Sequence, residues 1–272
     1  MNDVPLRTLP RDGLSIGYRV SGGGMPLLLL HATLSSARQL GPLADRLAHR
    51  FRVIAVDRRG SGESPFPAGQ TARPVDVGVH VADLEAVLET EGVGPVLVAA
   101  HSYGACVGLE LGARRPRLVS AIWAYEPPFA PAGPPEVQAV LREVARLTAE
   151  GARTGGRDGA ARAFLTALSG RDVLAGLPDR SRDRILAGGD GVIADGALAG
   201  LDPAGLAGIR VPAVIAGGRD SQPFYASLRA SLVALIPGAT METLDGVGHE
   251  APITQPDRVA ASIEALAVRI GG

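Results

Sequence analysis

The sequence contains no lysine: all 27 basic residues are arginine, set among 28 acids for a formal net charge of −1. They are scattered, with no basic block, so nothing in the charge pattern calls for nucleic acid. A single cysteine, Cys106, excludes an intrachain disulfide and a paired-cysteine metal site. Aromatic residues make up only 4% of the chain, so few large rings are available to build a core or a site. No apolar run is long enough to cross a bilayer, and the first twenty residues lack the basic start and apolar stretch of a leader. These absences lead to an expectation of a cytoplasmic protein with no membrane or nucleic-acid partner. No His-Glu-x-x-His and no dinucleotide fingerprint occurs, and Gly22-Gly23-Gly24 precedes a strand instead of joining one to a helix. No metal or organic cofactor is therefore expected.

What the sequence does have is a 46% hydrophobic composition over 272 residues, enough for one large α/β domain or a core with an insertion. The chain is organised around Val96 to Cys106. Val96–Ala100 is short, branched and apolar, as a buried parallel strand is, and from Tyr103 the apolar positions Val107, Leu109 and Leu111 recur with helical spacing. The change of period falls at Ser102, between Ala100 and Gly104. Small residues on both sides suit a turn tight enough to lift a serine hydroxyl off a sheet edge and set the next N–H beside it.

Other strand ends carry polar residues too. Leu14 to Val20 alternates like a half-buried strand, and Pro26 to Leu30 is an apolar strand ending at His31-Ala32-Thr33-Leu34. Ser35-Ser36 then caps a predicted helix to about His49. Arg52 to Val56 ends in Asp57-Arg58-Arg59-Gly60-Ser61-Gly62, where Asp57 reads as a structural turn residue. Val75 to Glu91 is an amphipathic helix, with His80 read as capping or solvent-facing. Leu118 to Tyr125 is a sixth strand closed by Glu126-Pro127-Pro128, with Trp123 and Tyr125 as sheet packing. Beyond it, Pro, Gly and Ala accumulate around two helical patterns, near 136–150 and 159–168. Val211 to Ala216 returns to the sheet, and Phe224 to Ile236 is a helix. Thr240 to Leu244 is the last strand, Gly248-His249 follows it, and Asp257 to Ile270 is a closing helix. Strands alternating with helices argue a mostly parallel central sheet with helices on both faces.

Taken in order, His31-Ala32, Asp57-Arg58-Arg59-Gly60-Ser61-Gly62, Ala100-His101-Ser102-Tyr103-Gly104 and Gly248-His249 resemble the α/β-hydrolase superfamily, in its lidded Ser-His-acid esterase-like branch. The resemblance runs from about Leu14 to Ile270, weakest between Pro127 and Leu206. Two positions depart from it, Ala32 and Ala100 standing where the family usually has glycine. It implies a hydrolase core over residues 1–127 and 207–272 and a helical cap over 128–206. It also implies Ser102 as nucleophile, His249 as base, and Asp220 at the position of the acid. Some members take the acid from the preceding strand end, which makes Glu126 the alternative. The sequence favours Asp220, because Gly217-Gly218 permits a tight turn that would bury a short side chain against the histidine loop.

The N–H groups of Tyr103 and Thr33 would form the oxyanion hole. His31, Leu34, Phe129 and Phe164 are the expected pocket residues. A serine hydroxyl needs a base within reach, and imidazole suits that task. The resulting expectation is hydrolysis of a carboxylic ester or lactone of a small, largely apolar molecule. C–C bond hydrolysis, perhydrolysis, a non-hydrolytic cyclisation, or a ligand-binding receptor that keeps the triad are the alternatives on the same scaffold.

Overall fold

The computed structural model describes residues 4–196 and 201–271. Eight strands form one sheet: β1 (Leu6–Arg11), β2 (Leu14–Ser21), β3 (Met25–Leu30), β4 (Phe51–Val56), β5 (Val96–His101), β6 (Val119–Tyr125), β7 (Ala213–Gly218) and β8 (Thr240–Leu244). Their order is β1-β2-β4-β3-β5-β6-β7-β8. Only the β1–β2 and β2–β4 pairs are antiparallel; from β4 across to β8 the sheet is parallel. All its parallel strands therefore end on the same side, and the polar residues that follow them are gathered along one edge.

Helices cover both faces, as apolar strands buried on two sides require. On one face α2 (Val77–Thr90) and α3 (Tyr103–Arg114) lay Val81, Leu84, Val87, Val107 and Leu111 against Leu28, Ile54, Val98 and Ile122. On the other, α1 (Gly41–Leu47) and α10 (Pro256–Gly271) bring Leu43, Leu47, Val259 and Ile263 onto Leu27, Leu29, Val53 and Trp123. Each such side chain taken fully out of water contributes roughly 1.5–3 kcal/mol before entropy is counted.

Local chemistry sets several boundaries. The predicted helix at Ser35 starts later, because 35–40 closes as successive turns and the regular helix begins at Gly41-Pro42, where proline suits the first turn. Helix α2 begins at Asp76, whose carboxylate accepts from Gly78 N–H at 2.7 Å. Trp123 and Tyr125 are buried in the sheet face as expected. Asp57 is a turn residue: its carboxylate accepts from the N–H groups of Ala37 and Glu63 at 2.7 and 3.1 Å, while Gly60 and Gly62 take φ of 80° and 51°.

Between β6 and β7 the chain leaves the sheet as α4 (Pro135–Ser169), α5 (Asp179–Leu186) and α6 (Gly189–Asp195), and returns through α7 (Pro203–Leu206). The two helical patterns are the halves of α4, broken at Gly155 and Gly156, the latter with φ 58°. The insertion is fastened to the sheet at α6. Val75 N–H donates to Ala194 O at 2.8 Å, and a side chain at Gly191 would meet Ser61 Oγ. Buried Arg58, from the loop after β4, forms a two-pronged ion pair with Asp195 of α6. The Arg58 guanidinium also lies 4.9 Å over the Tyr103 ring. Two further helices complete the core: α8 (Pro223–Leu235) between β7 and β8, and the short α9 (Ala251–Thr254) before α10.

Two expectations follow. Asp195→Ala leaves the Arg58 charge buried without its partner and should lower unfolding free energy by about 3–5 kcal/mol, measured by urea denaturation; a loss below about 1 kcal/mol would show the pair to be dispensable. The second concerns His31, His80 and His101, all buried and all with pKa held well below the ordinary value, chiefly by burial. Below about pH 6.5 the unfolded chain takes up protons at these positions while the folded chain does not, so stability is lost as pH falls, with a limiting slope of about 1.4 kcal/mol per pH unit for each. Unfolding free energies from urea denaturation should drop between pH 7.5 and 5.5, by roughly 4 kcal/mol for the set; a flat profile would mean that the three sites accept protons in the fold.

Candidate active site

Ser102 stands where β5 becomes α3. Its φ and ψ are 55° and −123°, a region that a residue with a side chain occupies only under constraint. Three contacts supply the constraint. Ser102 N–H donates to Tyr125 O of β6 at 2.8 Å, and Ser102 O accepts from Ala105 and Cys106 N–H as the helix starts. At Gly104 a Cβ would lie 2.4 Å from His31 O, so the crossing of helix and strand admits no side chain there.

His249 is carried by the loop after β8. Tyr125 Oη donates to Gly248 O at 2.8 Å, which ties that loop to the end of β6. The His249 Nδ1–H donates to Glu126 Oε2 at 2.7 Å. Glu126 is fully buried, takes φ 47°, and accepts a second hydrogen bond at Oε1 from Gly218 N–H at 2.7 Å. A buried carboxylate holding Nδ1–H leaves Nε2 unprotonated and facing the cavity, the tautomer that a general base needs.

Asp220, the expected partner, is not the residue that pairs with His249. Its side chain is exposed, and its contact with the histidine loop is through the backbone, Asp220 N–H to Val247 O at 3.0 Å. The two glycines before it serve other ends. A Cβ at Gly217 would strike Arg229 Nε at 2.6 Å, and one at Gly218 would lie 2.1 Å from Val247 O. They make room for neighbours and leave the Gly218 N–H for Glu126. Of the two carboxylates, the one that meets His249 is therefore the residue that follows β6 and turns inward.

Tyr103 and Thr33 both border the cavity beside Ser102. The loop that carries Thr33 passes through the left-handed region at Leu34, φ 58°, two residues beyond Ala32. The Thr33 hydroxyl donates to Asp195 Oδ2 at 2.6 Å, so the residue that receives Arg58 also holds this loop.

The cavity measures about 690 Å³. Leu141, Val144, Ala149 and Phe164 of α4 line it, with Leu174, Leu177, Ile185 and Val192 from the rest of the insertion, over Leu34, Ser102, Tyr225 and His249 of the core. Among the described lining residues there is no arginine, and Asp195 is already paired with Arg58. Leu34 and Phe164 thus lie where the sequence led us to expect them; His31 and Phe129 do not. Phe129 is packed in the main core. His31 is fully buried, its Nδ1–H donating to Ala32 O at 2.7 Å and its Nε2 accepting from Arg58 N–H at 3.0 Å, which pins the loops after β3 and β4 to each other. His80 is buried edge-on to Tyr103 instead of facing solvent, and the His101 ring sits 4.7 Å from that of His249. One residue had no signal in the sequence. Tyr225, in the first turn of α8, stacks on His249 with ring centroids 4.6 Å apart.

Comparison with known proteins agrees with this architecture. A 101-residue stretch is 35% identical to lipase LipV of Mycobacterium tuberculosis, covering 36% of this chain and 37% of that one. Another, of 114 residues, is 31% identical to a 2-(acetamidomethylene)succinate hydrolase of Mesorhizobium japonicum, covering 42% and 39%. The chain thus aligns with well under half the length of these curated relatives. Among solved structures, an esterase from Thermogutta terrifontis superposes with a TM-score of 0.74 at 21% identity, covering 97% of each chain. An enol-lactonase from Burkholderia xenovorans does so with a TM-score of 0.74 at 21% identity, covering 96% of this chain and 100% of that one. The alpha/beta hydrolase family matches residues 27–262. That span begins in β3, ends in α10 and takes in every strand end that contributes to the site, and the chain belongs to the alpha/beta hydrolase family.

Proposed function

We propose that this hydrolase cleaves carboxylic esters or lactones of neutral, largely apolar molecules, with Ser102 as nucleophile, His249 as general base and Glu126 as the acid that orients it. The observation that carries the reading is the Glu126–His249 hydrogen bond beside a strained Ser102, at the floor of an apolar cavity. In this mechanism His249 Nε2 takes the hydroxyl proton as Ser102 Oγ attacks the carbonyl carbon. The N–H groups of Tyr103 and Thr33 receive the charge that develops on the carbonyl oxygen. The proton on Nε2 passes to the leaving oxygen, and water, deprotonated by the same nitrogen, releases the acyl group from Ser102. Helices α4 to α6 act as the lid that excludes bulk water and shapes the pocket. With no cation among the described lining residues, an acyl chain is recognised by apolar contact and not by pairing of a carboxylate.

Two measurements test the reading. Wild-type protein should be labelled by a fluorophosphonate probe and should turn over p-nitrophenyl butyrate. Ser102→Ala should lose the label and about 10⁴- to 10⁶-fold in rate while keeping its unfolding transition. Absence of labelling in the wild type would point to the ligand-binding alternative instead. On the same ester, Glu126→Gln should lower kcat by roughly 10³- to 10⁴-fold through the wrong imidazole tautomer. Asp220→Asn, altering an exposed side chain, should stay within about a factor of three; the opposite ranking would return the acid to Asp220.

A further inference from the structure

The mechanism just described gives Tyr225 nothing to do, yet its side chain lies against His249 in the cavity that Ser102 also lines. Its ring is buried and nearly parallel to the His249 imidazole, with an interplanar angle of 12°. Its hydroxyl lies 3.4 Å from His249 Nε2, and the residue lines the same cavity as Ser102. The ring is held in place from the other side. Phe224 packs 4.3 Å from it, and Val137 and Leu141 of α4 close over it together with Leu228. The neighbouring Gln222 side chain donates to Leu168 O at 2.8 Å, a second tie between α8 and the insertion. This hydroxyl is therefore positioned by both the core and the insertion, with little freedom to turn away.

Its position has a chemical consequence. His249 Nε2 must hand its proton to the leaving oxygen, so that oxygen has to arrive within hydrogen-bonding distance of Nε2, which the Tyr225 hydroxyl adjoins, in the cavity that Tyr225, Ser102 and His249 line together. We propose that Tyr225 is a catalytic residue of the acylation step, donating a hydrogen bond to the leaving-group oxygen as its bond to the carbonyl carbon breaks. The proposal rests on the serine-hydrolase reading above.

In the resting site the hydroxyl lies beside His249 Nε2. Once Oγ has bonded to the carbonyl carbon its proton is on Nε2, which then is a donor and no longer an acceptor for the Tyr225 hydrogen. Collapse then breaks the carbon–oxygen bond to the leaving group. The electron pair goes to the leaving oxygen, which takes its proton from Nε2–H and departs as an alcohol. Tyr225 shares its hydrogen with that oxygen while charge builds and keeps its own proton throughout. Burial and the nearby carboxylates of Glu126 and Glu250 push its pKa well above the ordinary tyrosine value, which keeps it a donor across the working pH range.

A donor in this place matters most when the leaving oxygen bears localised charge. Tyr225→Phe removes the hydroxyl and keeps the ring that stacks on His249. Its kcat/KM should be compared with that of the wild type on ethyl butyrate and p-nitrophenyl butyrate, which share an acyl group. We expect the ethyl ester to lose about 10- to 100-fold and the p-nitrophenyl ester at most about threefold. Across a series of butyrate esters, the dependence of log kcat/KM on leaving-group pKa should be steeper in the variant. Equal losses on the two esters, or none on either, would overturn the proposal while leaving the nucleophile and base in place. A wild-type protein inactive on both esters would instead overturn the serine-hydrolase reading on which it stands.

Discussion

One buried carboxylate holds the site together. Glu126 has no contact with solvent and must satisfy its charge inside the protein; it does so through Gly218 N–H at the end of β7 and His249 Nδ1–H after β8. Burying such a group costs several kcal/mol unless its acceptor sites are filled, so the two donors and the acid stabilise each other's positions. Three consecutive strand ends meet at this point. Glu126 N–H donates to Ala216 O, Tyr125 O receives Ser102 N–H, and Tyr125 Oη reaches Gly248 O, so the turn at Ser102 and the loop of His249 are both referred to the end of β6.

A second buried polar centre does the same for the roof. Asp195 receives Arg58 from the sheet and the Thr33 hydroxyl from the loop after β3. His31 ties that loop to Arg58 through its ring nitrogens. The insertion is therefore coupled to the loop that carries Thr33 through one carboxylate. Between the two polar centres the lining is mostly apolar, and the described lining residues include no arginine although the chain has 27 basic residues.

Much of this could be read from the residues. Alternating apolar strands and amphipathic helices carried the sheet, the small residues around Ser102 carried the elbow, and Gly104 is small for the reason anticipated, since a Cβ there would lie 2.4 Å from His31 O. Where local signals failed, a distant contact had overruled them. Ser35-Ser36 resembled a helix start, but Gly41-Pro42 is where the backbone can become regular. His80 resembled a surface residue of α2, but Tyr103 and Arg58 cover it. The strand β1 carried too little hydrophobic alternation to be noticed, and exists because β2 offers it an edge.

By itself the sequence determined the alternation of strands and helices from β2 onward and the serine at the sharp turn, because periodicity and residue size act over a few positions. The role of the histidine after the last strand and the list of two carboxylates came from the resemblance to the family. Tertiary structure alone decided which carboxylate meets the histidine, that Tyr225 lies against it, and that His31 and Phe129 serve the framework. Each of these is a matter of a few ångströms between segments far apart in the chain. They are set by strand register and by the turn taken at Glu126, with φ 47°, for which no local rule prepares a residue followed by two prolines.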